Sequence, residues 1–225
     1  MRYLLAAINA KYIHSNLGIY SLRRYAMERL GLGQKDEQGA AVGMEMVSEA
    51  AEGANRTKTV SEIQIDLGEY TINHQMDQIL QDIYRRKPDV VGFSCYIWNI
   101  AFVEELAEEF HKLRPEVPVW VGGPEVSYET ESFLREHPQI TGVMIGEGEK
   151  TFCELAEYYA GKSRRDKEKQ KIQETQRTGE GKSTEERSKP GEIPGIAYRN
   201  GDEIIFTAPR EMLDLSAVSY THLRA

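Results

Sequence analysis

The sequence of 225 residues has few cysteines, no excess of positive charge and no long apolar run. Its two cysteines, Cys95 and Cys153, are too few for a disulfide framework or a four-thiolate metal site. The formal net charge of −8 argues against a nucleic-acid-binding protein, because such proteins usually carry a basic patch or domain. No run approaches the roughly 18 apolar residues of a membrane span, and the N-terminal run Tyr3–Ile8 is too short for the core of a signal peptide. These absences predict a cytoplasmic protein without a nucleic-acid or membrane partner.

Short apolar runs alternate along the chain with amphipathic helical patterns. The predicted strands cover residues 3–8, 60–67, 89–96, 118–123 and 140–146, and the predicted helices cover 17–31, 71–87, 99–114, 128–137 and 149–161. The strand at 60–67 has the mixed pattern of an edge strand. Such alternation implies right-handed crossovers and a parallel sheet covered on both faces. The sequence therefore predicts a doubly wound α/β domain over residues 1–160.

The composition changes after this domain. Residues 161–193 are rich in charged and small polar residues, with Ile172 as the only aliphatic side chain before the segment's final residues, and we predict a disordered charged linker there. Asn200-Gly201 then lies between two apolar runs, which predicts a β-hairpin over residues 194–209. An isolated hairpin is only marginally stable in water, so this hairpin should pack on another element.

Unusual residues follow four of the predicted strands, in the stretches NAKYIHSNLG, SCYIW, GGPE and GEGE. Ligands of open parallel sheets bind beyond the carboxyl ends of the strands. Glycines in such loops let a ligand approach the backbone, and a helix that begins beyond Gly146 and Gly148 offers free N–H groups. One such loop would indicate only a strand-to-helix turn. Several at one edge favour a binding site.

The common nucleotide-binding signatures are missing from these loops. There is no Gly-x-Gly-x-x-Gly after the first strand and no P-loop, and Ser94 and Cys95 occupy the place where a phosphoacceptor domain would have an aspartate. The first loop also lacks the Ser, Thr and Gly content that is typical of a flavin phosphate loop. The residues by themselves predict a large ligand at the sheet edge and do not identify it.

One series of large apolar residues has helical spacing. Trp98, Phe102, Leu106 and Phe110 recur at intervals of four residues, which predicts side chains that face the core.

Four stretches together resemble the N-terminal cobalamin-binding domain of the B12-dependent radical SAM proteins: NAKYIHSNLGIYSLRRY, DVVGFSCYIWN, VWVGGPEVSYE and GVMIGEGEKTF. The resemblance implies a flavodoxin-like, five-stranded parallel sheet in the order 2-1-3-4-5. It also implies that cobalamin lies over the carboxyl edge of the sheet, with its nucleotide tail between the sheet and the helices. The cofactor-binding residues that it implies are Asn9, Tyr12, His14, Ser15, Asn16, Ser94, Cys95, Tyr96, Gly122, Gly123, Pro124, Glu125, Gly146, Glu147, Gly148 and Glu149.

The axial cobalt ligand is a separate question. Many cobalamin domains use Asp-x-His-x-x-Gly. Here the glycine, Gly18, comes four residues after His14 and not three, and Tyr12 occupies the position of the aspartate. Without that carboxylate the histidine has no partner at the usual place to fix its tautomer. We expect cobalamin to be held without a protein histidine ligand, and a cobalt ligand role for His14 is the alternative.

The Cys-x3-Cys-x2-Cys motif that holds the [4Fe–4S] cluster of radical SAM enzymes is missing from this sequence. The cluster and S-adenosylmethionine are therefore assigned to a missing barrel, and no catalytic residue is assigned here. Residues 210–225 are predicted to be a truncated lead-in to that barrel, with 216–225 an artefactual tail. The resemblance implies a fragment of a radical SAM enzyme of the methyltransferase type, inactive alone. The alternatives are a stand-alone cobalamin-binding or sensing module and a cofactor-free structural domain.

Overall fold

The structure is a computed structural model that describes residues 1–10, 15–32, 63–163 and 190–212, together with the backbone of 164–175. The strands are β1 (Arg2–Asn9), β2 (Gln64–Thr71), β3 (Val90–Ser94), β4 (Val119–Gly122), β5 (Gly142–Met144), β6 (Ile196–Asn200) and β7 (Glu203–Phe206). The α-helices are α1 (Leu17–Arg29), α2 (Met76–Arg86), α3 (Ile100–Leu113), α4 (Thr130–Glu136) and α5 (Gly148–Thr175). Two short 3-10 helices cover Pro124–Val126 and Pro190–Glu192.

All seven strands form one sheet, in the order β2-β1-β3-β4-β5-β6-β7. The first five are parallel, and β6 and β7 are antiparallel to their neighbours. The predicted flavodoxin-like order 2-1-3-4-5 is confirmed. The sheet has two strands more than predicted, because the hairpin pairs with the free edge of β5.

Helices cover both faces of the sheet. Successive side chains of β1 enter different cores, with Leu4 in one core and Tyr3 and Leu5 in the other, because neighbouring residues of a strand point to opposite faces. The first core is closed by α2, α3 and α4, and the second by α1 and α5. The two faces of the sheet therefore have separate hydrophobic cores.

The second strand ends later than the sequence predicted. β2 runs to Thr71 because it pairs with β1 along its whole length, up to Asn9 opposite Thr71. The predicted start of the helix at residue 71 is therefore wrong. Helix α2 begins at Met76 with Gln75 as its N-terminal flanking residue, and no side chain caps it.

Helix α5 does not end at Gly161, as the sequence predicted, but continues to Thr175. Residues 162–175 are mostly Lys, Arg, Glu and Gln, which have good helix propensity and need no buried face to extend an established helix. Residues 176–189 of the predicted linker lie outside the described residues, as do residues 213–225 of the predicted lead-in to the barrel.

The hairpin is confirmed, with a shift of one residue at its turn. Asn200 pairs with Glu203, so the central residues are Gly201 and Asp202. Gly201 has a φ of 64°, and Asp202 is not among the described residues with positive φ, which is the pattern of a type II′ turn.

The described helices include none with the length and apolar character needed to cross a membrane.

Candidate functional site at the carboxyl edge of the sheet

A cleft of about 440 Å³ opens at the carboxyl edge of the sheet, between the sheet and helices α1 and α5. Three sheet residues, Leu5, Gly92 and Met144, form what we call the cleft floor, and Ile19 and Leu22 of α1 form one wall. The lining residues from the strand ends and loops are Ser94, Tyr96, Gly122, Gly123, Pro124, Ser127, Tyr128, Gly146, Glu147, Gly148 and Glu149. The cleft is apolar at the floor and polar near the loops.

Gly92 opens the floor. It lies within β3, opposite Leu5 of β1, and a Cβ atom there would stand 3.0 Å from Cδ2 of Leu5. Its φ is not positive, so the conformation does not require glycine. Gly92 was not predicted from the sequence, although a glycine inside a strand often marks a site where another group approaches closely.

The end of the first loop is held by hydrogen bonds to two strands. Asn16 caps α1 by accepting from the Ile19 amide at 3.3 Å, and its Nδ2 donates to Ser94 Oγ at 3.1 Å. Its backbone N–H donates to Glu69 of β2 at 2.8 Å, and the same carboxylate accepts from the Tyr20 hydroxyl at 2.8 Å. The hydrogen bond to Glu69 raises the pKa of Tyr20 above its ordinary value. Glu69 was not predicted from the sequence.

Asn99 fixes the turn after β3. The buried side chain donates through Nδ2 to the carbonyls of Ile8 and Ser94, both at 2.9 Å, and accepts from the Tyr96 amide at 2.8 Å. It therefore joins the carboxyl ends of β1 and β3. The sequence predicted only that Asn99 opens a helix, and its side chain makes no capping hydrogen bond.

Cys95 lies beneath the cleft surface rather than on it. The thiol is fully buried and is not among the lining residues, and the backbone N–H donates to the Gly122 carbonyl at 2.7 Å. Burial raises the pKa of the thiol well above its ordinary value. This environment does not favour a reactive thiolate.

The two glycines of the GGPE stretch have different structural reasons. Gly123 has a φ of 121°, and a Cβ atom there would overlap the carbonyl oxygen of Cys95. Gly122 lies in ordinary backbone, and a Cβ atom would stand 3.4 Å from the Met144 carbonyl oxygen. The close approach of the Cys95 backbone therefore requires Gly123, whereas Gly122 leaves room in the cleft. Pro124 also lines the cleft, and Glu125 is exposed outside the lining.

The last loop leads into helix α5. Gly146 has a φ of 77° with open space beside its Cα, and Gly148 begins the helix so close to α1 that a Cβ atom would stand 2.9 Å from Leu22 Cδ2. Glu149 accepts from the Ser21 hydroxyl at 2.7 Å. The loop is therefore positioned by α1, and Glu147 lies beside it in the lining.

Large apolar side chains are exposed around the cleft mouth. The rings of Tyr96 and Trp98 stack with centroids 4.5 Å apart and an interplanar angle of 5°. Ile97 and Tyr128 are 77% and 90% exposed. Trp98 is 47% exposed and precedes helix α3, so the prediction that it faces the core is wrong, while Leu106 and Phe110 are buried as predicted.

The structure brings most predicted site residues to this edge. The predicted residues that line the cleft come from the strand ends and the loops after them: Ser94, Tyr96, Gly122, Gly123, Pro124, Gly146, Glu147, Gly148 and Glu149. Asn16 is joined to this set by its hydrogen bond to Ser94. Asn9 ends β1, and Ser15 is an exposed residue beside Asn16. Tyr12 and His14 lie outside the described residues. Among the described residues no group of three or more His, Cys, Asp or Glu side chains could hold a metal ion.

Comparison with known proteins identifies similar sequences and folds. The cobalamin-dependent radical SAM methyltransferase TokK of Streptomyces tokunonensis is 38% identical over 69 residues, 31% of this chain and 10% of the relative. The 2-(S-pantetheinyl)-carbapenam-3-carboxylate methyltransferase of Streptantibioticus cattleyicolor is 37% identical over 68 residues, 30% of this chain and 10% of the relative. The matched stretch thus spans about a tenth of each relative's length.

The fold is also similar to a solved structure. The cobalamin-dependent S-adenosylmethionine radical enzyme OxsB, with aqua-cobalamin and S-adenosylmethionine bound, has a TM-score of 0.57 at 14% sequence identity, over 94% of this chain and 22% of OxsB. The family model of the B12 binding domain matches residues 3–156. Because this match covers more than half of the sequence, the chain belongs to the B12-binding domain family.

Proposed function

We propose that the cleft holds cobalamin and that residues 1–160 are the cobalamin-binding domain of a radical SAM enzyme of the methyltransferase type. The observation that carries the proposal is the cleft itself, which enters between the sheet and helices α1 and α5 over a floor opened by Gly92. Membership of the B12-binding domain family and the similarity to cobalamin-dependent methyltransferases support it.

The residues of the site fit the two parts of this cofactor. The floor and the α1 wall are apolar, which suits the flat aromatic base of the nucleotide tail. The exposed apolar side chains at the mouth, Ile97, Trp98 and Tyr128, suit the broad and partly apolar corrin ring. Ligand sites of open α/β sheets lie at this edge.

Cobalamin would supply a cobalt-bound methyl group for transfer. The residues of this chain bind and orient the cofactor: the cleft floor excludes water from the tail, and the network of Asn16, Ser94 and Asn99 holds the strand-end loops in place. The predicted absence of a protein cobalt ligand stays a prediction, and no histidine of the described residues lines the cleft. The [4Fe–4S] cluster and S-adenosylmethionine would belong to a radical SAM barrel in cis, and the proposal includes a cytoplasmic location.

A titration with hydroxocobalamin tests the cofactor. The full chain should co-elute with about one cobalamin per chain in gel filtration, as expected if the cleft beside α1 and α5 holds one cofactor molecule. The visible spectrum of the protein peak should show displacement of the tail base from cobalt. If folded protein elutes without cobalamin, the proposal is wrong for this chain.

A pair of leucine substitutions tests the place of binding. Gly122→Leu should weaken hydroxocobalamin binding about tenfold or more, because the new side chain occupies the cleft beside Met144. Gln78→Leu adds the same side chain to the exposed face of α2, away from the cleft, and should leave the dissociation constant unchanged. Equal hydroxocobalamin affinities for the two variants would show that the cofactor binds elsewhere.

A further inference from the structure

Arg210 joins three segments at one end of helix α5. Its side chain is only 7% exposed, and it forms an ion pair with Glu154 through both terminal nitrogens. Nε donates to Thr151 Oγ1 at 2.8 Å, and Nη2 donates to the Pro194 carbonyl at 3.0 Å. We call these four residues the Arg210 clamp. It ties the segment after the hairpin to the segment before it and to the beginning of α5.

Backbone hydrogen bonds connect the Arg210 clamp to the loop that lines the cleft. The Gly195 N–H donates to the Ala208 carbonyl, and the Ile145 N–H donates to the Gly195 carbonyl, both at 2.8 Å. A Cβ atom at Gly195 would stand 3.1 Å from Cβ of Arg210, so the packing is close. Ile145 directly precedes Gly146, the first residue of the loop that lines the cleft. The clamp therefore holds both ends of residues 146–149, through Ile145 on one side and Thr151 on the other.

The arrangement matches a guanidinium's bonding capacity. Arginine offers five N–H donors in a planar fork, and here they reach a carboxylate, a hydroxyl and a carbonyl. Lysine could provide the charge but not the fork. Removing the guanidinium would leave Glu154 and the Pro194 carbonyl without these partners and would release the loop.

We propose that Arg210 is a positioning residue for cobalamin binding: by fixing residues 145–149 it sets the affinity of the cleft for the cofactor. The inference rests on the proposed function. Since linkage is reciprocal, bound cobalamin also stabilises the docking of residues 208–212, the segment that leads out of the hairpin. The occupied cleft and the path of the following chain are thus coupled.

The test compares two arginines of the hairpin region in the full chain. Arg210→Met should raise the dissociation constant for hydroxocobalamin about tenfold, within the range of roughly 5- to 150-fold that is typical of coupled sites. Arg210→Lys should recover part of the loss. Arg199 is the matched control, because it donates to the Leu134 carbonyl on the opposite face of the sheet, so Arg199→Met should stay within about twofold of the unmodified protein.

Amide hydrogen exchange, measured without cofactor, separates this inference from the proposed function. Arg210→Met should accelerate exchange at residues 145–149 and leave α2 unchanged, and Arg199→Met should leave residues 145–149 protected. Folded Arg210→Met protein with unchanged exchange at this loop, or with unchanged cobalamin affinity, would overturn the proposal. Failure of the unmodified protein to bind cobalamin would instead contradict the proposed function, whatever the exchange data show.

Discussion

Gly92 and Gly123 show that a glycine at this sheet edge can serve the ligand or the protein. Gly92 has ordinary backbone and forms part of the cleft floor, whereas Gly123 has a φ of 121° and abuts the backbone of Cys95. The first therefore should matter for binding and the second for folding. The sequence predicted one role, close approach of a ligand, for the glycines of the loops, Gly123 among them, and did not single out Gly92.

Gly92→Val should separate recognition of the nucleotide tail from recognition of the corrin ring. The added side chain would occupy the floor next to Leu5, and valine is well tolerated within a strand. We expect hydroxocobalamin to bind about tenfold more weakly or worse, and cobinamide, which lacks the nucleotide tail, to bind as before. Equal losses for both ligands would show that the tail does not reach Gly92.

Gly123→Ala should cost far more stability than an alanine placed at another glycine of positive φ. Gly31 has a φ of 61°, and a Cβ atom there would meet nothing within 4 Å, so Gly31→Ala should cost about 1 to 2 kcal/mol of unfolding free energy. Gly123→Ala adds an overlap with the Cys95 carbonyl to an unfavourable φ and should cost about 2 kcal/mol more. Urea unfolding of the two variants gives the comparison, and similar costs would mean that the backbone overlap relaxes easily.

Among the elements, those with strong periodicity were predictable and those with long-range causes were not. The buried run of β1 and the alternation of strands with helices predicted a parallel sheet, because each crossover has a fixed hand. The strand order was implied only by the resemblance to the cobalamin-binding domains. The end of β2 depends on pairing with β1, which no local pattern contains. The Arg210 clamp likewise joins Arg210 to Glu154 and Thr151, which lie 56 and 59 positions earlier in the sequence. A lone arginine in a loop gives no signal of such contacts.

The sequence predicted the position of the candidate site at the sheet edge but not the contacts that support it. Loops that follow parallel strands must meet at one edge, so Ser94, Gly122 and Gly146 could be grouped from the sequence. The supporting contacts of Glu69 and Asn99 could not, because they depend on the depth at which neighbouring strands end. Trp98 was misassigned because helical spacing was extended one turn before the helix begins.

The length of helix α5 can be tested with substitutions at Gly161, where the sequence predicted its end. Gly161→Pro should reduce the helical signal in far-UV circular dichroism, because proline removes an amide donor and clashes with the preceding turn, at a cost of about 3 kcal/mol in a helix interior. Gly161→Ala should instead stabilise the helix by about 0.5 to 1 kcal/mol. A proline variant with unchanged helical content would mean that the helix ends at Gly161 after all.

At the scale of the whole molecule, the buried groups that ionise at high pH determine its alkaline stability. Burial raises the pKa of the Cys95 thiol, and burial is also the main cause of the raised pKa values of Tyr3, Tyr70 and Tyr159. The folded protein thus keeps protons that the unfolded chain releases above about pH 8.5 at the cysteine and about pH 10 at the tyrosines.

The sign of the effect follows from this difference in bound protons. Below the unfolded pKa values these groups are protonated in both states and contribute no pH dependence. Above those pKa values the unfolded state binds fewer protons, so the unfolding free energy falls as pH rises. Each fully buried group contributes about 1.4 kcal/mol per pH unit, so Cys95 acts first and Tyr3 and Tyr159 steepen the fall above about pH 10.

Urea unfolding at several pH values from neutral to strongly alkaline measures this slope. Tyr159→Phe should lower the slope above about pH 10 by about 1.4 kcal/mol per pH unit, although it also removes the acceptor of the Trp120 indole N–H at 2.9 Å and weakens the protein at every pH. Cys95→Ala should reduce the slope of the unfolding free energy against pH between about pH 8.5 and pH 10. Cys95 and Tyr159 belong to separate cores on opposite faces of the sheet. If both contributions are lost in a single unfolding transition, the two cores unfold together. Exposed tyrosines such as Tyr128 ionise in the folded protein, so the comparison is between variants: a smaller rise of tyrosinate absorbance before unfolding in Tyr159→Phe than in the unmodified protein would contradict the burial of Tyr159.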